Sequence, residues 1–277
     1  MPPLALALVL TAACTHATWN LYAKRAAKVR HFVFLYSLGA VVLWLPLAWA
    51  VGLPAWTISV AVALMGTAIL HLAYSLMLQH SYAAADLSLV YPVIRGTGPL
   101  LAFVGATVVL HERPSALAVA GALLVVAGVF LLTGGRTNLR AAGLGLATGA
   151  LVAAYTVWDG WAVKTVGVPV VLVDFAGNLL RVLSLGPRAL ADREQLRADA
   201  REAWRPALVV SVLGPLGYLL VLQAVTIAPV SHVAPARELS MLVAAWLGGR
   251  ALGEGDLRRR LLASAVVVAG VVCLALG

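Results

Sequence analysis

Long apolar segments, separated by short stretches that contain Lys, Arg, Pro or Gly, cover nearly the whole chain. Continuous apolar runs of about 20 residues are typical of helices that cross a bilayer, because in lipid each backbone amide must be satisfied within its own segment. The short alternating segments of a transmembrane β-barrel are not seen. The pattern therefore predicts an all-α integral membrane protein with ten transmembrane helices, at residues 3–23, 32–52, 57–80, 87–110, 116–134, 142–163, 168–189, 206–227, 230–251 and 259–276.

Composition supports this interpretation. The chain has 277 residues, of which 62% are hydrophobic and 11% charged, whereas a soluble domain is about 45–50% apolar and about a quarter charged. One polar stretch, 191–205, is too short to fold on its own. The first apolar segment has no basic residues before it, so we interpret it as a spanning helix rather than a signal peptide.

A net charge of +9 would suggest a nucleic-acid partner in a soluble protein. Here the Lys and Arg residues lie mostly between apolar segments, where they orient a protein whose partner is the lipid bilayer, and we expect no nucleic acid. With ten helices, one face carries almost all of them and the other has only Arg113 and Lys164. The positive-inside rule then predicts that the basic face is cytoplasmic and both termini are outside.

The second half of the chain repeats the first. Three pairs of segments keep their order and nearly their spacing: 19–22 with 158–161, 74–79 with 218–223, and 92–112 with 235–254. Each unit holds five helices, an odd number, so the second enters the membrane from the opposite side. The sequence thus predicts two inverted five-helix repeats, 1–135 and 136–277, which in transporters hold a substrate site between them near the midplane.

The motifs resemble those of a known family. They are His16-Ala17-Thr18-Trp19-Asn20, Asp86-Leu87-Ser88 with Tyr91-Pro92, Arg95-Gly96 and Pro99, and His111-Glu112-Arg113-Pro114-Ser115. This pattern is similar to the EamA-type branch of the drug/metabolite transporter superfamily, over the whole chain. The resemblance implies a ten-helix secondary transporter that exports amino acids, other metabolites or drugs. It also implies cytoplasmic termini, against the charge count, and both orientations stay open.

Arg95 is the first candidate site residue, because an ionisable group near mid-depth is expensive and requires a partner or a purpose. Ser88 and Tyr91 share its helix face. Gly96 and Gly98 follow, and would loosen the helix or allow a close approach. Arg95 is either a cationic anchor for an anionic or zwitterionic substrate or half of a structural ion pair.

Two carboxylates are candidate proton carriers. Glu238 stands three residues after Pro235, as Arg95 stands three after Pro92, so the repeat places them at equivalent points. Burial raises the pKa of such a carboxylate and a nearby Arg lowers it, which gives two states to switch between. Asp159 replaces the Asn20 of the first repeat; it either holds a proton or ammonium group or lies near the membrane face.

Further candidates for substrate binding lie on the helices matched by the repeat. His16 and Asn20 are one turn apart on the first helix. Aromatic residues on matched helices are expected as a set to line a cavity, although packing is the favoured role for each one alone; they are Trp19, Tyr74, Trp158, Trp161 and Tyr218. Arg181 is interpreted as structural, paired with a carboxylate such as Asp174.

Some roles are not expected. Cys14 and Cys273 lie in separate apolar segments without Cys/His spacing, so neither a disulfide framework nor a metal site is supported. No cofactor is expected. Gly121, Gly128 and Gly270 indicate close helix contact in the fifth and tenth helices, either as scaffolding or in a homodimer.

Secondary transport of a small polar metabolite (amino-acid-like, organic anion or drug) is the leading hypothesis, as proton-coupled export across the cell (inner) membrane. A membrane enzyme would need a motif such as HExxH or a nucleophile elbow, and none is present. ATP-driven pumping would need a P-loop, which the chain lacks. A non-transporting receptor or assembly factor with the same fold is the alternative.

Overall fold

The computed structural model describes residues 1–26, 28–52, 54–85, 87–133, 138–240 and 257–277, with only the backbone described at 87–89, 92, 132–133, 257–258 and 260. A π-helical turn, Ala162–Val166, extends the sixth helix, and the described residues contain no strand. The prediction of an all-α protein is confirmed. The α-helices are α1 (Pro3–Arg25), α2 (Phe32–Val51), α3 (Ile58–Ala84), α4 (Leu87–Val109), α5 (Ala116–Thr133), α6 (Leu139–Trp161), α7 (Val170–Ala191), α8 (Arg193–Ile227), α9 (Val230–Ala236) and α10 (Leu257–Leu276).

The exterior of the helices is apolar. Within the described residues, six helices are long and apolar enough to cross a bilayer: α1, α2, α3, α6 with its π-turn, α7 and α8. Three shorter apolar stretches lie in α4, α5 and α10. Large apolar side chains such as Ile58, Val108 and Leu261 are more than 60% exposed. Surface of this kind is stable in contact with lipid rather than water, so the chain is a multi-pass membrane protein.

The polar stretch before the eighth spanning segment is also helical. α8 begins at Arg193 rather than at the expected residue 206, and Asp192 caps it by accepting a hydrogen bond from the Gln195 N–H at 3.4 Å. Asp199 is buried, whereas arginines at every fourth position are exposed. One buried face and one charged face are typical of an amphipathic helix, so α8 continues as a helix on the N-terminal side of its apolar part. The exposed arginines are Arg193, Arg197, Arg201 and Arg205.

The ninth helix is broken. It was predicted as continuous over 230–251, but α9 ends at Ala236. The Glu238 N–H donates to the Pro235 carbonyl at 3.0 Å and the Ser240 N–H donates to the Arg237 carbonyl at 3.1 Å. This three-residue spacing belongs to a tighter turn than an α-helix, and Pro235 contributes because it has no N–H and crowds the preceding turn. The rest of the predicted helix, from residue 241, lies outside the described residues.

The two halves pack against each other in matched pairs of helices. α3 packs against α6 and α7, while α8 packs against α1 and α2. α2 packs against α7, and α5 against α10. Exchanging each helix with the one five places along leaves these pairings unchanged, as two repeats related by a twofold axis require.

Contacts between loops define the two ends of the bundle. At one end, here called the terminal face, the Met1 amine donates to the Ala275 carbonyl and Gly277 lies against Ser115. At the other, the basic face, Arg30 donates to Asp192 at 2.8 Å. In the same place His31 Nδ1 lies 2.9 Å from Asp199, which joins the α1–α2 loop to the start of α8.

Glu112 joins three elements at the terminal face. Its oxygens accept hydrogen bonds from the backbone N–H groups of Val230 at 2.8 Å and Ser231 at 2.9 Å, and Lys164 Nζ lies 3.4 Å away. Partial burial raises the pKa of Glu112, but the hydrogen bonds from Ser231 and Val230 and the charge of Lys164 outweigh it, so the pKa lies below its ordinary value. The ionised carboxylate therefore holds the α4–α5 loop to the start of α9.

Glycines allow helices to approach closely at two places. A Cβ on Gly121 or on Gly270 would lie 2.7 Å from the carbonyl oxygen of the other, so α5 and α10 touch backbone to backbone within one chain. A Cβ on Gly98 would lie 3.1 Å from Val152 of α6. α4 runs unbroken through Gly96 and Gly98, so these glycines serve close approach and the expected loosening of the helix is absent.

Candidate functional site

A cavity of about 140 Å³ lies between the two halves of the molecule. Its lining extends from Arg237 and Tyr218 to Ala23, Phe32 and Val33 beside the α1–α2 loop, so it approaches the basic face. Toward the terminal face the helices are packed by a cluster of small buried residues, mostly Ala and Val, on α1, α3, α7, α8 and α9. Among the described residues, α5 and α10 contribute nothing to the lining.

Arg95 and Glu238 form an ion pair at the wall of this cavity. Arg95 Nε lies 2.8 Å from Glu238 Oε2, although the two atoms are not aligned as a hydrogen bond. The other guanidinium nitrogens lie against His16 Nε2, at 3.3 Å, and Ser240 Oγ. Since an arginine can only donate, His16 Nε2 accepts and the imidazole is neutral. The sequence placed Arg95 and Glu238 at equivalent positions of the repeats, and the structure places them in contact.

A narrower recess adjoins the cavity at this ion pair and is lined by Asn20, Tyr91 and Glu238. The Asn20 amide donates to the Tyr91 hydroxyl at 3.1 Å, and the Arg95 guanidinium lies over the Tyr91 ring at 5.9 Å. The hydrogen bond joins α1 to α4, and the contact between Arg95 and Tyr91 lies within α4. Five predicted site residues therefore meet here: His16, Asn20, Tyr91, Arg95 and Glu238.

Asp159 lies behind the cavity wall and is fully buried. One carboxylate oxygen accepts a hydrogen bond from Thr67, and the other accepts one from Tyr218 and lies 2.8 Å from His71 Nε2. The described residues place no lysine or arginine within ion-pair distance of it. The rings of His71 and Tyr218 line the cavity. A buried carboxylate bonded to an imidazole has the chemistry of a proton-binding site.

Arg181 forms a third cluster. It donates to Ser37 at 3.1 Å, to Ser75 at 2.7 Å and to Asn178 Oδ1 at 2.7 Å. The Asn178 amide in turn donates to Asp174 at 2.9 Å, so the amide connects the guanidinium to the carboxylate. Arg181, Asn178 and Asp174 line the cavity, which makes them part of the site as well as of the structure.

Aromatic rings form one side of the cavity. The centroid of the Tyr155 ring lies 5.1 Å from that of Tyr74, 4.6 Å from that of His71 and 6.0 Å from that of Tyr218, and the ring planes are inclined to one another. Trp19 also lines the cavity and lies edge-on to the ring of His16. The surface is therefore formed by aromatic rings in tilted and edge-to-face contact, with hydroxyl groups at its edges.

Two predicted substrate-binding residues, Trp158 and Trp161, do not line the cavity. Trp158 donates its indole N–H to the Ala63 carbonyl of α3 at 3.0 Å, and its ring occupies the space beside Gly66. Trp161 stacks on Trp158 at 5.1 Å. Both pack α6 against its neighbours. The Ser88 side chain lies outside the described residues.

The sequence did not single out Asn178, Asp174 and Arg181 as cavity residues, nor Tyr36 and Tyr82, which also line it. The available signal was their spacing. Asp174, Asn178 and Arg181 recur at intervals of four and three residues along α7 and so share one helix face. That face turns inward because the opposite one is apolar, as expected for polar residues within a membrane.

Known proteins resemble this chain in sequence and in fold. A family model described as the EamA-like transporter family matches residues 3–134 and 139–276. No curated protein matches the chain. A solved structure, described as "Crystal structure of protein", superposes with a TM-score of 0.75 at 17% identity, and the match covers 98% of each chain. That likeness shows the fold, while the family match covers almost the whole sequence: this chain belongs to the EamA-like transporter family.

Proposed function

We propose that this protein is a secondary transporter that moves a small polar metabolite across the cytoplasmic membrane. The observation that carries the proposal is the cavity between two repeats, lined by buried charged groups and surrounded by an apolar exterior. Ionisable side chains at membrane depth mark substrate and ion pathways. Membership of a transporter family supports the same class of function.

The architecture we propose is ten spanning helices in two inverted five-helix repeats. α1 begins at the terminal face, where Met1 meets Ala275, and α6 ends there, where Lys164 meets Glu112. The first helices of the two repeats then run in opposite directions, as an inverted repeat requires. A broken helix at the site, as in α9, is a further feature of such transporters.

The cargo we propose is amino-acid-like, an organic anion or a drug, because the cavity combines guanidinium groups with aromatic rings. Asp159 and Glu238 are the proposed proton carriers, in proton-coupled export. Of the two, the geometry favours Asp159, since Glu238 has the guanidinium of Arg95 at 2.8 Å whereas Asp159 is bonded to neutral or titratable groups.

A receptor or assembly factor with the same fold is the second candidate. The buried ion pair of Arg95 and Glu238 is compatible with a purely structural role, which such a protein would tolerate. A homodimer through α5 and α10 also remains a proposal, although these helices already bury their glycine contact against each other within one chain.

Proteoliposomes test the transport function. Uptake and efflux of a panel of amino acids, organic anions and drugs are measured with and without a pH gradient. The structure supplies a blocking variant: Gly214 lines the cavity, and a Cβ there would meet only Val210, at 3.8 Å, so Gly214→Trp is expected to fill part of the cavity. Gly143→Trp, at an open and exposed position on α6, is the matched control.

We expect the wild-type protein and Gly143→Trp to transport at least one solute of the panel, and Gly214→Trp to transport none. A correctly folded protein that moves nothing in the panel, or a solute flux that the filled cavity does not change, would favour the receptor instead.

A further inference from the structure

The three arginines that line the cavity differ in how their charges are balanced. Arg95 is 2.8 Å from the carboxylate of Glu238. Arg181 is connected to Asp174 through the amide of Asn178. Each of these two cations therefore has its own carboxylate, directly or through one bridging group.

Arg237 differs from both. Within the described part of the chain, no carboxylate oxygen lies within 4 Å of its guanidinium. It lies over the Tyr218 ring, 5.9 Å from the centroid, and interacts with the hydroxyl group of Tyr155. The carboxylate of Asp159 is bonded to the Tyr218 hydroxyl rather than to Arg237. The adjacent carboxylate, Glu238, is held by Arg95 on the other side of the turn.

The backbone explains how Arg237 reaches the cavity. α9 ends at Ala236, and Arg237 occupies the turn that follows. Arg237 itself keeps a helical conformation, and its N–H donates to the Val233 carbonyl at 3.2 Å. Its position at the end of α9 therefore places its side chain at the cavity, which it lines. An unbalanced cation at membrane depth is costly unless an anion joins it.

We propose that Arg237 binds the carboxylate of the substrate, and that the substrate is a small organic acid with a planar apolar body. Its body lies along the rings of Tyr74, Tyr155 and Tyr218, which form the adjoining wall. A guanidinium offers two parallel N–H groups to a carboxylate, and its charge repels an amine of the same shape. This inference rests on the proposed transport function and names the class of its cargo.

A series of four ligands that share a phenyl ring and differ in their charged groups tests the proposal on purified full-length protein. Phenylacetate is the acid, phenylalanine the zwitterion, 2-phenylethylamine the cation and 2-phenylethanol the neutral analogue. Binding is measured by calorimetry. We expect phenylacetate to bind more tightly than the alcohol and the amine by about tenfold or more, as for a charge-assisted bidentate contact. Phenylalanine distinguishes whether an added amine is tolerated.

Variants of Arg237 locate the contact. Arg237→Gln should weaken phenylacetate binding about tenfold and abolish the preference for the acid over the alcohol. The affinity of Arg237→Lys for phenylacetate should lie between those of the wild type and Arg237→Gln, because an ammonium keeps the charge but not the planar geometry of a guanidinium. Arg188→Gln, at an exposed position near the end of α7, is the control. The ligand series is measured on the wild-type protein, so it tests the preference for an acid even if a variant misfolds.

Tighter binding of the amine than of the acid, no binding of phenylacetate to the wild-type protein, or an unchanged affinity in a folded Arg237→Gln protein would overturn the proposal. These failures differ from failure of the transport function. If the protein transports cationic or neutral solutes, the proposed transport function holds and the proposed acid substrate is wrong. If it binds acids through Arg237 without transporting them, the binding site holds and the transport function is wrong.

Discussion

His71 Nε2 lies 2.8 Å from Oδ2 of Asp159, and this contact joins a ring that lines the cavity to a carboxylate that solvent does not reach. Tyr218 makes the same connection from α8, through the hydroxyl that it donates to Asp159. A proton on the Asp159–His71 pair would therefore lie next to the cavity without occupying its space.

Neutralising Asp159 should separate proton coupling from substrate movement. In Asp159→Asn the titratable group is lost while the shape is kept, so we expect transport driven by a pH gradient to disappear and counterflow exchange of labelled for unlabelled solute to persist. Thr156→Val is the matched control, because Thr156 is buried on the same helix and its hydroxyl has no hydrogen-bond partner among the described residues. Full pH-driven transport in Asp159→Asn would exclude it as the proton carrier.

Arg95 and Glu238 should behave as a pair in stability. Removing one partner of a buried ion pair leaves an uncompensated charge and costs about 3–5 kcal/mol, whereas replacing both by apolar residues of similar volume is often neutral. We expect Arg95→Met and Glu238→Met to lower the thermal unfolding temperature in detergent, and the double variant to recover most of the loss. Additive losses in the double variant would show that the two side chains act independently.

The Glu112 bridge should make stability depend on pH. Because the folded protein lowers the pKa of Glu112, this carboxylate stabilises the fold above its unfolded pKa, and the contribution is lost as the pH falls through the lower folded value. Hydrogen bonds to a charged group contribute about 1.5–3 kcal/mol each, so Glu112→Gln should unfold at a lower temperature at neutral pH. The difference from wild type should shrink below about pH 4; an equal difference at both pH values would contradict this role.

Cysteine labelling decides the orientation of the chain. If the basic face is cytoplasmic, a cysteine at exposed Arg197 should resist an impermeant reagent in intact cells, and one at exposed Arg113 should react. Both changes are Arg→Cys, made in a background without Cys14 and Cys273. Reaction at 197 with protection at 113 would instead support cytoplasmic termini.

Packing of α5 against α10 should be sensitive to one methyl group. Gly121→Ala would place a Cβ 2.7 Å from the Gly270 carbonyl oxygen, and overpacking of this kind costs about 1–3 kcal/mol. Gly143→Ala meets nothing within 4 Å and should be neutral or stabilising, since alanine is favoured over glycine in a helix by about 1 kcal/mol. Thermal unfolding of the two variants gives the comparison, and a Gly121→Ala protein as stable as Gly143→Ala would argue against a tight contact.

The sequence predicted most helices because the hydrophobic pattern determines which backbone enters the bilayer. The predicted helix boundaries were wrong where capping and packing, rather than hydropathy, determine the ends of a helix. α8 extends into a polar stretch whose helicity depends on a cap at Asp192 and not on hydropathy. α9 breaks at Arg237, a result of Pro235 and of packing that a hydropathy pattern does not contain.

The repeat was the most informative signal for the site. It matched Arg95 with Glu238, and the structure shows them in contact. It did not distinguish lining from packing among aromatic residues: Tyr74 and Tyr218 face the cavity, whereas Trp158 and Trp161 face neighbouring helices. The direction of a ring depends on the helix rotation that packing selects, and the spacing of residues along one helix leaves that rotation open.

The helices that support the fold through the contact between α5 and α10 are different from the helices that line the cavity. These two helices hold the halves together through Gly121 and Gly270, and neither contributes to the described cavity lining. Mutations that change what the cavity accepts therefore fall on other helices and leave this support untouched. Such a division permits the cavity lining to change in sequence while the backbone arrangement is kept, and a solved structure at 17% identity has the same fold.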